Sequence, residues 1–296
     1  MALWTSEVPL TNGVVNVSQI PQRSPFRYPG GKTWLVPHAR AWLKSLTTKP
    51  SNFIEPFVGG GIISLTVAFE NLADHILMVE LDKDVAALWQ TILANDEDNE
   101  WLAERILSFD ISVESLHLEL ATPPNSTRER GFQTLLRNRT CHGGILAPGS
   151  GILKHGENGK GVKSRWYAQT LAKRVRNIRY VRDKITFVHG DGIQVIQEYA
   201  PQETAAFFVD PPYTAGLDGK RAGARLYTHC ELDHEELFKQ AERVKGGLLM
   251  TYDNAEEVKR LAHRHNLSAE TISMRNTHHA TMRELLISHD LAWTHF

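Results

Sequence analysis

Seven short apolar, β-rich runs recur along the chain with helical patterns between most of them, and this alternation limits the fold more than any single motif. The runs are NFIEPF (52–57), HILMVE (75–80), ITFVHG (185–190), AAFFVD (205–210), GLLMTYD (247–253), SAETISM (268–274) and ELLISH (284–289). Helical periodicity marks 62–70, 83–94, 192–199, 233–244 and 255–265, and Pro37 suits the first turn of an earlier helix ending near Leu46. Strands alternating with helices predict an α/β fold built on a doubly wound, mostly parallel sheet. Between the second and third runs lies an insertion, 96–183, with helical stretches at 100–121 and 164–182 around a glycine-rich centre. The expected division is a sheet domain of 1–95 and 184–296, with 96–183 as a separate, largely helical subdomain.

Charge is distributed unevenly over that division. The 296-residue chain has a formal net charge of −1, yet the stretch 128–184 holds fourteen Lys and Arg against Glu129, Glu157 and Asp183, a local charge of +11. The remainder carries nineteen bases and thirty-one acids, or −12. A basic, loop-rich block suits the backbone of DNA or RNA. A membrane span needs about 20 consecutive apolar residues and no run is that long; the first residues, MALWTSEVPLTNG, lack the order of a signal peptide. A cytoplasmic protein is expected. Cys141 and Cys230 form no C-x-x-C pair, and the fourteen histidines are scattered, so neither a disulfide framework nor a metal site is expected.

Gly31-Lys32-Thr33 in RYPGGKTWL ends like a nucleotide-binding P-loop, but the glycine required five positions earlier is Phe26, and a proline-broken coil precedes it. IEPFVGGG (54–61) follows the first strand and opens a helix, offering backbone N–H groups to a ligand. A dehydrogenase fingerprint fails because position 64 is serine. Glu80 ends the second strand where doubly wound cofactor sites hold ribose hydroxyls, so the pair favours an adenosine-bearing cofactor. FFVDPPYTAG (207–216) empties an apolar strand into a carboxylate, a donor-free rigid turn and an aromatic plate, Asp210, Pro211, Pro212 and Tyr213, at the carboxyl edge of the sheet.

With RYPGGKTWL, IEPFVGGG, VELD, LLRNRTCHGG, VHGDG, VDPPY and RELLIS, the sequence resembles the DNA N6-adenine methyltransferases of the Dam type over most of its length. The resemblance implies a Rossmann-like methyltransferase fold and S-adenosylmethionine as cofactor. It implies cofactor contacts from Tyr28, Gly30, Gly31, Lys32, the loop Glu55, Pro56, Phe57, Gly59 and Gly61, Glu80, Asp210 and, for the adenine ring, Asp191. Tyr28 stands where the best-known members have tryptophan and Glu80 where they have aspartate; both keep the chemistry.

The residues themselves support that chemistry. An exocyclic adenine amine is a poor nucleophile, and Asp210 with the Pro211 carbonyl can accept its two N–H bonds and draw the nitrogen toward tetrahedral geometry. The base must leave the duplex, and Tyr213 offers a face for it. Lys32 suits the methionine carboxylate, and Phe57 or Tyr28 packing against the cofactor. Double-stranded DNA is the expected partner, and a cognate restriction endonuclease is a compatible one. Arg137, Asn138, Arg139 and Thr140 are expected near bases or phosphates, Lys160, Lys163 and Arg165 near phosphates, and Arg225 and Tyr227 on a flap. An N4-cytosine methyltransferase, an RNA or protein-amide methyltransferase and an inert DNA-binding subunit are the rival readings; the last is disfavoured because Asp210 and the glycine loop are intact.

Overall fold

The structure is a computed structural model that describes residues 15–27, 31–146, 150–153, 155–156, 159–212, 232–275 and 281–295. The expected strands all form: β1 Asn52–Glu55, β2 His75–Glu80, β3 Ile185–His189, β4 Ala205–Val209, β5 Gly247–Asp253, β6 Ser268–Arg275 and β7 Thr281–Ser288. They make one sheet in the order β3-β2-β1-β4-β5-β7-β6. The first five are mutually parallel, as expected for a doubly wound fold. β7 is the exception, antiparallel to both β5 and β6. With only positions 276–280 between β6 and β7 there is no room for a crossover helix, so the last two strands form a hairpin whose second strand slots against β5.

Helices cover both faces of the sheet, and local sequence explains where they start and stop. Pro37 sits in the first turn of α1 (Val36–Ser45), as its fixed φ and missing N–H allow. α2 (Ile62–Glu70) ends at Asn71 in the left-handed conformation, φ 55°. The Asp82 side chain caps α3 (Lys83–Leu93), Asn95 caps α4 (Asp96–Ser108), and Ser112 with Ser115 forms a capping box on α5 (Val113–Ala121). The expected 100–121 helix is thus two helices, broken where Phe109 turns extended. α6 (Thr127–Thr140), capped by Ser126, takes in LLRNRT, and α7 spans Ala168–Ile178. α8 (Gly192–Tyr199), α9 (His234–Glu242) and α10 (Glu256–Arg264) complete the set.

Alternate strand residues feed two cores. Ile54, Leu77, Val79, Phe207, Val209 and Met250 pack with Ile196, Leu237, Phe238 and Ala262 of α8, α9 and α10. Phe53, Ile76, Met78, Phe208 and Leu249 join Trp34, Trp42, Leu65 and Trp89 on the other face. That second core also contains Leu102, Ile106, Phe132, Leu135, Trp166, Leu171 and Val175 from the insertion. The insertion therefore shares an apolar core with the sheet and does not hold a separate one. Its α6 lies so close on α3 that a β-carbon at Gly131 would meet the Thr91 hydroxyl at 2.9 Å and the Ala87 carbonyl at 3.0 Å.

Polar pairs tie the same elements together. Asn99 donates to the carbonyls of Ile92 and Val175, joining α3, α4 and α7. Asn138, fully buried on α6, accepts from the Arg27 N–H at 2.8 Å and donates to the carbonyls of Arg27 at 2.8 Å and Gly144 at 3.0 Å. It staples the segment just before the Gly-Gly-Lys element to the insertion. Asn138→Ala removes these three hydrogen bonds, one of them fully buried, and is expected to destabilise the protein by on the order of 2–4 kcal/mol, read as a lower denaturant midpoint; an unchanged midpoint would show that the staple is dispensable.

Candidate active site

In the strand order the direction of winding reverses between β1 and β4, and ligands of doubly wound sheets bind at the carboxyl ends beside such a switch. Four neighbouring strands deliver a carboxylate to that edge. Glu55 is the last residue of β1, Glu80 the last of β2, Asp253 the last of β5, and Asp210 follows β4 directly. β7 adds a fifth, Glu284, opposite Asp253 in the ladder.

The glycine loop after β1 is held from both sides. Gly59 and Gly61 take φ values of 42° and 60°, where a side chain would be strained. At Gly61 a β-carbon would also sit 2.7 Å from the Trp89 ring, whose indole N–H donates to the Gly59 carbonyl at 2.9 Å. Glu80 accepts from the N–H of Gly59 at 3.0 Å and of Asp82 at 2.9 Å, and Glu55 accepts from the N–H of Ser64 at 3.0 Å. Asp191 caps α8 by accepting from Ile193, and the following Gly192 approaches the Pro56 carbonyl so closely that a β-carbon would stand 2.3 Å from it. Phe57 is half-buried against the α8 side.

The second half of the site centres on Lys32. A short 3-10 turn, Lys32–Leu35, places its ammonium 2.9 Å from Asp210 Oδ1 and 3.6 Å from Glu284 Oε2, with the side chain 3% exposed. The Thr251 hydroxyl, on β5, donates to the same Asp210 oxygen at 2.8 Å. At 3.6 Å the Lys32–Glu284 contact is an ion pair without a hydrogen bond.

Electrostatics in this cleft are those of crowded, buried acids. Burial, with Asp210 and Glu80 nearby, pushes the Glu55 carboxyl up to about 8. Burial raises Glu80 to about 7, with the Asp82 charge adding and the backbone donors of Asp82, Gly59 and Leu81 opposing. Glu284 also reaches about 7, through burial and the charges of Asp210 and Asp253 against the pull of Lys32. Asp253 is raised by burial and by Asp210. Burial works against the Lys32 ammonium, but Asp210 and Glu284 outweigh it and its pKa is raised. Burial first, then Asp210, lifts the Tyr252 phenol.

The expected site residues are thus partly brought together. Glu55, Pro56, Phe57, Gly59, Gly61, Glu80, Asp191 and Asp210 line one edge of the sheet. Gly31 precedes the Lys32 turn with an ordinary backbone, φ −50°. Lys32 differs from expectation: its ammonium is held by two protein carboxylates, where a cofactor carboxylate had been expected. Pro211 is buried and Pro212 half-buried after β4. Tyr28, Gly30, Tyr213, Arg225 and Tyr227 lie outside the described residues. Thr251, Asp253 and Glu284 escaped sequence reading, although MTYD ends a strand in aspartate as FFVD does, and RELLIS puts a glutamate into an apolar run.

The expected nucleic-acid contacts need correction. Asn138 and Thr140 are fully buried, Thr140 donating to the Leu136 carbonyl, and Arg139 is buried and donates to the Pro25 carbonyl. These three side chains hold α6 in place and cannot read bases from there. Arg137 shares Asp84 with Arg130. Arg128, Arg176 and Arg182 likewise pair with acids of α4, so part of the +11 is neutralised locally. Lys160, Lys163 and Lys173 remain exposed, and Arg165 is half-buried. Among the described residues no cluster of three or more His, Cys, Asp or Glu could hold a metal ion, and no helix is long and apolar enough to cross a membrane.

The family model described as D12 class N6 adenine-specific DNA methyltransferase matches residues 28–272. No curated protein matches the chain at a significant level. Among solved structures, the chain is similar to PH0793 of Pyrococcus horikoshii, provisionally described as a transferase, with 10% identity and a TM-score of 0.32. That similarity covers 86% of this chain and 62% of the other, so the chain spans less than two thirds of its length.

Glu55 gives a test of the buried acids. Its folded pKa, about 8, lies above the ordinary 4.5, so between these values the folded protein keeps a proton that the unfolded chain has lost, and stability falls as pH rises through that window. Glu55→Gln removes this dependence and is expected to gain on the order of 1–3 kcal/mol over the wild type between about pH 5 and 8. Parallel denaturation profiles for the two proteins across that range would refute the assignment.

Proposed function

Because the chain belongs to the D12 class N6 adenine-specific DNA methyltransferase family, we propose that it transfers a methyl group from S-adenosylmethionine to the N6 amine of an adenine flipped out of a specific site in double-stranded DNA. One observation carries the reading: Asp210 stands at the switch-point edge of the sheet, oriented by Lys32 and Thr251 and followed by the rigid Pro211-Pro212 turn.

The donor is tested on charge. Five carboxylates converge with one lysine among the described residues, and burial together with mutual repulsion raises several of them. Buried acids held partly protonated in this way would be drawn toward their ionised form by a cationic ligand, and Gly59 and Gly61 keep side chains out of the loop beside it. S-adenosylmethionine, when bound, supplies an electrophilic methyl group on a sulfonium centre. Glu80 would hold the ribose hydroxyls with the acceptor capacity left over by the backbone N–H groups of Gly59, Asp82 and Leu81. Phe57 would pack against the cofactor, and Asp191, at the start of α8, would meet the adenine ring.

For the target base, the Asp210 carboxylate and the Pro211 carbonyl accept the two amine N–H bonds, which localises the nitrogen lone pair for in-line attack. An amine paired inside a duplex cannot reach this edge, so the base must be extruded. Duplex contact falls to the exposed bases of the insertion, Lys160, Lys163 and Lys173, with Arg165 beside them. The protein partner compatible with this chemistry is an endonuclease cutting the same sequence.

Asp210→Ala should lower turnover at least tenfold, and by on the order of a hundred- to a thousandfold if the loss resembles that of other positioned charge-stabilising groups, while DNA affinity persists. The assay is nucleoside analysis of treated duplex DNA; turnover above a tenth of wild type, or N4-methylcytosine as product, defeats the assignment. For the interface, log K should fall with log[salt] by about 0.9 per phosphate neutralised. Replacing Lys160, Lys163 and Arg165 by alanine should flatten that slope by up to about three. Anisotropy across a salt series decides, and a wild-type slope near zero would remove DNA contact by this block.

A further inference from the structure

Asp253 and Glu284 stand directly opposite each other in the β5–β7 ladder, a placement that is unfavourable for two like charges. Glu284 is also buried, 5% exposed, and its neighbour on the other side of β7 is the apolar Ile272. An apolar residue at 284 would serve packing better, since a buried acid with an ion-pair partner beyond hydrogen-bond distance is costly. What the position gains is reach: from β7 the carboxylate comes to 3.6 Å from the Lys32 ammonium that also pairs with Asp210.

We propose that Glu284 is a positioning residue, sharing the Lys32 ammonium with Asp210 and so setting where that carboxylate sits and how much negative charge it presents to the target amine. This rests on the reading above, in which Asp210 accepts from that amine. Among the described residues the charged groups facing Glu284 are Lys32 from the N-terminal turn, Asp210 from the end of β4 and Asp253 from β5; β6 presents Ile272. Burial and the two aspartates bring Glu284 to about 7 against the pull of Lys32. Below that pH the protonated Glu284 gives up its share of the ammonium, which then pairs more fully with Asp210 and draws charge from it. Above it, the ammonium is divided and Asp210 is the better acceptor. Turnover should therefore rise with pH through about 7.

The test compares full-length wild type, Glu284→Gln and Glu284→Asp, each checked for a cooperative thermal transition, by single-turnover methylation of a duplex from roughly pH 6 to 8. Glu284→Gln is expected to lower kcat about 10- to 100-fold, to leave KM for DNA and for S-adenosylmethionine within roughly threefold, and to lose the acid limb. Glu284→Asp, with a carboxylate on a shorter stem, should keep the limb. A flat wild-type profile, a wild-type kcat in Glu284→Gln, or loss of the limb in Glu284→Asp would each overturn the inference. An inactive Asp210→Ala alongside an unaffected Glu284→Gln removes this role alone; an active Asp210→Ala removes the reading beneath it.

Discussion

A lysine ammonium buried between two carboxylates is the interaction around which the site is arranged. Lys32 comes from a turn near the N-terminus, Asp210 from the end of a central strand and Glu284 from the antiparallel strand beyond it. Three segments far apart in sequence are thereby fixed to one another, in surroundings where a charge lacking its partner would be expensive to bury. Thr251 adds a fourth, since its hydroxyl binds the same Asp210 oxygen as the ammonium. The geometry of the carboxylate is thus determined by the whole central sheet and not by the Asp-Pro-Pro turn alone.

The same arrangement explains the weight of negative charge at the edge. Each of four parallel or near-central strands ends in an acid, and the backbone N–H groups of Ser64, Gly59 and Asp82 offset part of the cost for Glu55 and Glu80. What remains is a set of crowded acids whose carboxyls burial and mutual repulsion hold above their ordinary pKa. The hairpin of β6 and β7 matters here beyond completing the sheet: an antiparallel β7 brings Glu284 to the edge where the parallel strands end.

The insertion changes character once it is seen packed. Its tryptophan, phenylalanine and leucine side chains enter the core that covers one face of the sheet, and Asn138 grips the backbone just before the Gly-Gly-Lys element. The insertion is consequently packed continuously with the edge of the sheet through α3, α6 and the N-terminal segment. Many of the arginines that make the block basic are engaged with acids of α3 and α4, or with carbonyls of residues 24 and 25, while Lys160, Lys163, Lys173 and Arg179 stay exposed.

Much was legible in the sequence. The strand and helix boundaries followed from apolar runs and caps, because backbone geometry and periodic burial act over a few residues: 62–70 and 192–199 were placed to the residue. The placement of Glu55, Glu80 and Asp210 could be read because a chain leaving a parallel strand must emerge at the carboxyl edge. α6 was not legible: TRERGFQTLLRNRT looks solvated, and its polar residues are buried through partners more than a hundred positions away or on the facing helix. Nor were Glu284 and the true partners of Lys32, since which strand pairs with which, and in which direction, is settled by long-range packing that short spacing does not encode. Local sequence determined the elements and the chemistry at their ends; only the tertiary structure decided which charges meet, because ion pairing depends on distances of a few ångströms between segments the chain itself keeps far apart.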